Sequence, residues 1–263
     1  MSKVYITAAK RTAIGSFLGA LSPLSASDLG AAVAKNILEE TKIDPAKLDE
    51  VIMGNVLSAG QYQGVGRQTS VKAGIPYEVP GYAVNIICGS GLKSVILTYA
   101  NIKAGVADLV LAGGTESMSG AGFVLPGQIR AGHKMADLTM KDHMICDALT
   151  DAFHKIHMGI TAENVAEKYG ITREEQDQFA LSSQQKAIAA VDSGRFKDEI
   201  VPVTIKNKKG DIVVDTDEYP NRKTNLEKLA GLKPAFKKDG SVTAGNASGL
   251  NDGASIVLMA SEE

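Results

Sequence analysis

The run Asn85-Ile86-Ile87-Cys88-Gly89-Ser90-Gly91-Leu92-Lys93-Ser94 constrains the fold of this chain more than any other stretch. Tyr82 to Ile87 is short, mostly apolar and rich in β-branched residues, the pattern of a buried strand. Gly89 and Gly91 mark a sharp turn, and from Leu92 to Val106 the apolar spacing is helical with few polar residues. Cys88 thus falls between a strand and a helix N-terminus. Unpaired N–H groups and the positive end of the helix dipole favour a thiolate there and lower a cysteine pKa. The glycines let a substrate approach the backbone closely. The junction reads as the seat of a nucleophile. A lone cysteine in an apolar segment is more often a small core residue. That is how Cys146, with no glycine turn beside it, is read. A phosphate-binding loop does not fit, because Leu92 stands where that motif needs glycine.

Strands and helices alternate along the chain. Lys3 to Ala9 reads as a first strand. Ser25 with Asp28 is a capping signal for a helix to about Glu40, and Asp49 to Leu57 is a second strand. A short helix near Gln68 to Ala73 follows, then the strand before Cys88, its helix, and the run Asp108 to Ala112. Such alternation implies an α/β layered domain with a mostly parallel sheet. Leu92, Val95, Ile96, Leu97, Tyr99, Ala100 and Ile102 spread around most of the Cys88 helix, and a helix apolar on all sides is normally buried on all sides. The texture changes after Met118, where Met-, Gly- and His-containing loop sequence runs to His157. Thr172-Arg-Glu-Glu175 is a capping box opening a helix to about Asp192. Ile200 to Ile205 and Asp211 to Val214 form a hairpin around Lys208-Lys209-Gly210, and Ala254 to Ala260 returns as a strand to the first sheet. The domain reading is therefore 1–118 with 250–263 as the α/β domain and 119–249 as an inserted subdomain.

Composition excludes several classes. With 44% hydrophobic and 22% charged residues the chain is ordinary globular material. A net charge of -2 gives no general attraction to nucleic acid or anionic membrane. Two cysteines make no disulfide framework, and the N-terminus has no signal-peptide pattern, so a cytoplasmic protein is expected. No run approaches the ~20 apolar residues of a membrane span. The absence of Gly-x-Gly-x-x-Gly between strand and helix rules out a Rossmann dehydrogenase. The histidines and cysteines lack ligand-like spacing, so no metal is expected.

Four motifs, in order, carry a resemblance. Asn85-Ile-Ile-Cys-Gly-Ser-Gly-Leu-Lys-Ser94 resembles the acyl-cysteine motif of thiolases. Gly113-Gly-Thr-Glu-Ser-Met-Ser119 resembles a second motif of that family, Asn246-Ala-Ser-Gly-Leu-Asn-Asp-Gly-Ala254 a third, and Lys10-Arg-Thr-Ala-Ile-Gly-Ser16 also fits. The likeness covers essentially the whole chain and is strongest to the biosynthetic branch, which condenses two acetyl-CoA into acetoacetyl-CoA and CoA. It implies Cys88 as the catalytic nucleophile and coenzyme A thioester as substrate, with no separate cofactor. By the same resemblance, Leu149, His157 and Met158 would line the pantetheine and adenine. Ala244, Ser248 and Gly249 would flank the pantetheine arm, and Phe236 would belong to the same wall. Where relatives place a phosphate-binding arginine this chain has Asn221, with Arg222 one step later to reach the phosphate. Each of these residues alone would read as core, loop or surface.

The family pattern also includes a second α/β half with a His-Pro histidine, a second reactive cysteine and a Gly-rich loop. None of the 4 histidines here precedes proline. The expectation is the N-terminal half plus loop domain of a thiolase, with little condensing activity alone and a bare apolar face that favours self-association. The family implies a homo-oligomer, dimer or tetramer, with Gln61 to Gly66 near the assembly surfaces, or a complementing C-terminal half. Two competing readings are a degradative 3-ketoacyl-CoA thiolase and a non-catalytic CoA-binding or assembly fragment.

Overall fold

The computed structural model describes residues 3–262, which fall into two compact units. The first comprises the chain through Phe123, Lys197–Glu218, and the segment from Asn251 on. Its sheet contains β1 (Val4–Arg11), β2 (Gly15–Ser16), β3 (Glu50–Gly54), β4 (Gly81–Val84), β5 (Leu109–Ser117) and β10 (Asn251–Ser261). The order is β1-β10-β5-β3-β4, with β2 on β10. β10 pairs antiparallel with β1, β2 and β5, while β3 pairs parallel with β4 and β5. Every strand but β10 therefore runs the same way, and the fold is mixed α/β around a largely parallel sheet, as the alternation of elements implies.

Side-chain alternation along the central strands explains the layers. Val51 and Met53 of β3, Leu111 of β5, and Ile256 and Leu258 of β10 pack with α1 (Ala26–Thr41) in the main core. Their neighbours Ile52, Val110, Ala112 and Met259 face α3 (Ser90–Lys103), where Leu97, Val95 and Ile102 meet them. Period-two strands buried on both faces read as continuous apolar runs, and β3 and β5 do. Leu29, Val33 and Ile37 of α1 are fully buried, each stabilising the fold by about 1.5–3 kcal/mol. Ser25 starts α1 through the anticipated capping box: its hydroxyl accepts from the Asp28 N–H at 3.2 Å, and Asp28 accepts from the Ser25 N–H at 3.1 Å. The short helix α2 (Val65–Lys72) begins a little earlier than the sequence reading placed it.

Helix α3 is buried on one side and leaves bare the apolar face that the sequence implies. Its most buried stripe is Ser90, Ser94, Thr98 and Ile102, and its large apolar residues Leu92, Ile96 and Tyr99 are exposed. Small hydroxyl side chains let the helix lie close on the sheet, where the Ser94 hydroxyl donates to the Gly113 carbonyl at 2.8 Å.

The segment Lys197–Glu218 also departs from the sequence reading, which gave all of 119–249 to the insertion. It packs in the first unit. Val201, Val203, Ile205 and Val214, on and beside the hairpin strands β8 (Val203–Ile205) and β9 (Ile212–Val214), enter the main core. Arg11 of β1 clamps both ends of the excursion, donating to Glu199 at 2.7 Å and in a fork to Asp217 at 2.7 and 3.0 Å. Glu218 accepts from the N–H groups of Ser16 and Ala20. The polar half of this anchor is long-range, so a local reading could not assign it.

The second unit contains Val124–Phe196 and Tyr219–Leu250. The two-residue strand β6 (Phe123–Val124) straddles its start, and β7 (Lys141–Asp142) lies within it. Its helices are α4 (Met158–Tyr169), which the sequence reading did not assign, α5 (Arg173–Asp192) and α6 (Leu226–Ala230). Thr172 and Glu175 form the expected capping box of α5. Its buried hydrophobic side chains among the described residues are Met144, Ala166, Leu229 and Val242, so polar anchors carry much of the packing. Buried Glu163 of α4 accepts from the N–H groups of Ser241 and Val242 at 2.9 and 2.8 Å. Arg173 bridges Asp177 and the carbonyls of Leu229 and Leu232, and Asn246 donates to Asp177 at 2.9 Å. No described helix is long and apolar enough to cross a membrane.

Candidate active site

Cys88 occupies the turn between β4 and α3. β4 ends at Val84, Gly89 caps α3, and the cysteine is exposed. The turn is not made by its glycines. Neither Gly89 nor Gly91 has positive φ; the left-handed residue is Ile87, at φ +58°. A β-branched residue there is an outlier costing about 1–3 kcal/mol, and such strain gathers at functional sites. Side chains hold the conformation. Asn85 Oδ1 accepts from the Ile87 N–H at 2.9 Å, and Ser90 Oγ accepts from the Ile86 N–H at 2.9 Å while donating to the Ile87 carbonyl at 2.6 Å.

The glycines do something else. A Cβ on Gly54, at the end of β3, would stand 2.4 Å from the Gly91 nitrogen and the Ser90 carbonyl carbon. A Cβ on Gly114 of β5 would stand 3.2 Å from the Gly91 Cα. Gly54, Gly91 and Gly114 thus form a bare patch on which the N-terminus of α3 sits directly against the sheet. The sequence reading saw Gly91 as room for substrate; its neighbours are backbone of the same unit.

Two residues beyond Gly114, the Glu116 carboxylate accepts from Asn55 Nδ2 at 2.9 Å and from the Val56 N–H at 2.8 Å. Burial pushes its pKa up, and the N–H donors of Val56, Leu57 and Ser117 and the Asn55 amide only partly oppose this. The pair ties the segment after β3 to the end of β5.

The eight coenzyme A candidates all lie in the second unit. Four of them meet. The Met158 N–H donates to the Leu149 carbonyl at 2.8 Å, and the His157 ring stacks on Phe236 with centroids 4.8 Å apart and planes 17° apart. His157 also caps α4, its Nδ1 accepting from the Gly159 N–H at 3.0 Å. Gly159 is required there, since its Cβ would stand 2.1 Å from the Phe236 ring. Phe236 continues a segment bonded to Val242 through the Ala235 N–H at 2.9 Å, which brings the Thr243–Gly249 loop alongside. Ala244 and Ser248 are exposed on that loop, and Gly249 lies flat on Tyr219, whose ring a Cβ would strike at 2.2 Å. Arg222 makes a two-pronged ion pair with Asp192 at 2.9 and 2.5 Å on an exposed surface. The Arg222 hydrogen bond holds Asp192 below the usual carboxylate range.

Cys146 lies in a π-type turn, Met144–Ala148, in which Asp147 accepts from His143 Nδ1 at 2.7 Å. A hydrogen bond to Asp147 pushes the Cys146 thiol pKa up. Among the described residues no group of three or more His, Cys, Asp or Glu side chains is arranged to hold a metal ion.

The sequence reading missed the roles of Ile87, Ser90 and Gly54. A serine two residues after Cys88, at the first helical position, is a legible signal, because Ser favours local side-chain bonds at helix starts. The strain at Ile87 had no signal, since nothing in an Ile-Ile pair calls for positive φ.

The first unit presents Cys88 on a strained turn ahead of α3, and the second unit stacks His157 on Phe236. The model of the thiolase N-terminal domain matches residues 4–263, and the chain belongs to the thiolase family. It is 55% identical over 262 residues to an acetyl-CoA acetyltransferase of Pseudomonas aeruginosa, covering 99% of this chain and 66% of that protein. An acetyl-CoA acetyltransferase of Allochromatium vinosum is 54% identical over 260 residues, with 98% and 66% covered. The crystal structure of the Bacillus anthracis acetyl-CoA acetyltransferase superposes with a TM-score of 0.96 at 43% identity, covering 100% of this chain and 66% of that one. The chain therefore spans about two thirds of the length of these relatives.

Proposed function

We propose that this chain carries the acyl-accepting centre of an acetyl-CoA acetyltransferase that converts two acetyl-CoA into acetoacetyl-CoA and CoA. The observation that carries the reading is Cys88, exposed on a turn whose strain is held by Asn85 and Ser90. Its thiolate attacks the thioester carbon, an S–C bond forms to the acetyl group, and the CoA sulfur leaves with the electron pair of the broken bond. The oxyanion on the way is met by the Cys88 N–H at the start of α3. A general base then takes a methyl proton from a second acetyl-CoA, whose carbanion forms a C–C bond to the acyl carbon as the S–C bond breaks and the Cys88 thiolate leaves. Leu149, His157, Met158, Phe236, Ala244, Ser248 and Gly249 receive the CoA arm in this reading, with Arg222 turning from Asp192 to a phosphate, to which its planar fork is suited. The substrate supplies the thioester and no separate cofactor enters. The Pseudomonas aeruginosa, Allochromatium vinosum and Bacillus anthracis proteins are each named acetyl-CoA acetyltransferase, which supports acetyl as the acyl group. We further read the enzyme as cytoplasmic and as a homo-oligomer.

Intact mass after incubation with acetyl-CoA, with peptide mapping, tests the first half-reaction. An acetyl adduct on Cys88 that is absent in Cys88→Ser is the expected result. Acetylation spread over lysines with Cys88 unmodified would overturn it.

A further inference from the structure

Ser90 is buried at 4% exposure, and its bonds bracket the strained residue. Its Oγ accepts from the Ile86 N–H on one side of Ile87 and donates to the Ile87 carbonyl on the other. Its own N–H donates to that same carbonyl at 3.0 Å. The Ile87 carbonyl and the Cys88 N–H belong to one planar trans peptide unit and point in opposite directions. Two donors on the carbonyl therefore fix the direction of the Cys88 N–H as well. Once Oγ is removed, the Ile86 N–H loses its acceptor and the carbonyl one of its two donors. A left-handed Ile87 then has less to hold it, and the peptide plane is free to swing toward an unstrained conformation.

We infer that Ser90 is a positioning residue: it aims the Cys88 N–H at the oxyanion formed when Cys88 attacks a thioester. The inference rests on Cys88 being the acyl acceptor. It separates two reactions of one thiol. Acyl transfer develops negative charge on a carbonyl oxygen and needs the aimed N–H. Alkylation by iodoacetamide displaces iodide at an sp³ carbon and builds no such oxyanion, so it reports only thiol reactivity and access.

The experiment compares the full chain with Ser90→Ala and Ser90→Thr, measuring the rate of acetyl transfer from acetyl-CoA to Cys88 and the rate of Cys88 alkylation by iodoacetamide. Circular dichroism melting verifies that each variant is folded. In Ser90→Ala, acetyl transfer should fall by about 10- to 100-fold while alkylation stays within about threefold. Ser90→Thr, which keeps the hydroxyl, should recover most of the acetyl transfer. Equal acetyl transfer in the wild type and Ser90→Ala overturns the inference and leaves Cys88 as acyl acceptor. A parallel fall in both rates assigns Ser90 a structural role only and also overturns it. A wild-type Cys88 that alkylates but never acetylates overturns the reading of the site, and the inference with it.

Discussion

The two cysteines of this chain show how neighbours decide what a thiol can do. Cys88 is exposed on a turn at a helix start, whereas Cys146 hydrogen-bonds to Asp147, which pushes its pKa up. The nucleophile is the thiolate, so at a given pH a thiol with raised pKa offers less of it. Limiting iodoacetamide at pH 7.5, followed by peptide mapping, should therefore label Cys88 ahead of Cys146. The Cys146 rate should climb only at a pH above that of an ordinary thiol. Asp147→Asn removes the charge and most of the hydrogen-bond preference for the protonated form, and should speed Cys146 labelling at pH 7.5 by a fewfold without altering Cys88. Equal labelling of the two cysteines in the wild type would contradict the assignment. The place of Cys88 between β4 and α3 was legible, because a cysteine flanked by strand and glycine-containing helix start is a local pattern. Asp147 beside Cys146 carries a partner in the sequence too, but the hydrogen bond follows from the π-type turn, which the sequence does not signal.

At the scale of elements, two contacts place segments of the first unit: one sets the start of α3, the other the Lys197–Glu218 excursion. The first is the glycine patch under α3. In Gly54→Ala the added methyl meets backbone of α3 at 2.4 Å, and backbone cannot step aside cheaply. Overpacking of this kind costs about 1–3 kcal/mol, and here it also lifts the helix start that carries Cys88. The expected result is a lower denaturant midpoint together with slower acetyl transfer to Cys88; an unchanged midpoint would mean the helix does not sit on that glycine. The second contact is the Arg11–Asp217 pair, with side chains 17% and 5% exposed. Burial alone would raise the Asp217 pKa, but the Arg11 hydrogen bond, the Ile14 N–H and the Arg11 charge carry it below the usual range. A carboxylate whose folded pKa is depressed contributes stability above its unfolded pKa of about 3.9, and that contribution is lost as pH falls through the lower, folded value. Asp217→Asn should then cost about 2–4 kcal/mol at pH 7, by leaving the Arg11 charge short of a partner, and progressively less below pH 4. Urea unfolding across that range measures it, and a cost independent of pH would refute the electrostatic account. The capping boxes of α1 and α5, the hairpin and the return of β10 were all readable, since each is local or follows period-two alternation. The place of Lys197–Glu218 was not, because Arg11 reaches it across 206 residues of sequence.

For the whole molecule, the family and the α/β layers were legible from four motifs in order, each built on glycines and small polar residues whose backbone roles allow few substitutes. Apart from α5 and its capping box, the second unit was legible only as a change of texture. Its α4 helix follows a His-Met-Gly cap that resembles no standard start signal, and its packing relies on anchors such as Glu163 and Asn246 that join segments far apart. The feature with the broadest consequence is the outer face of α3. Leu92, Ile96 and Tyr99, spaced four and three residues apart, share one side of the helix at 67%, 49% and 51% exposure. Ile86 at the turn and Val106 just beyond the helix end are exposed as well. Single exposed apolar residues are ordinary, but a helix stripe of this kind is what marks a surface for association. The chain should therefore self-associate as its concentration rises, with a weight-average mass in sedimentation equilibrium above that of the 27.6 kDa chain. Replacing Leu92 and Ile96 together by Glu breaks the stripe at exposed positions, where a substitution usually changes stability by no more than about 0.5 kcal/mol. The double variant should keep its melting temperature and shift toward monomer. If the wild type stays monomeric at high concentration, the stripe is not an association surface; if the variant associates as strongly as the wild type, association runs through some other face.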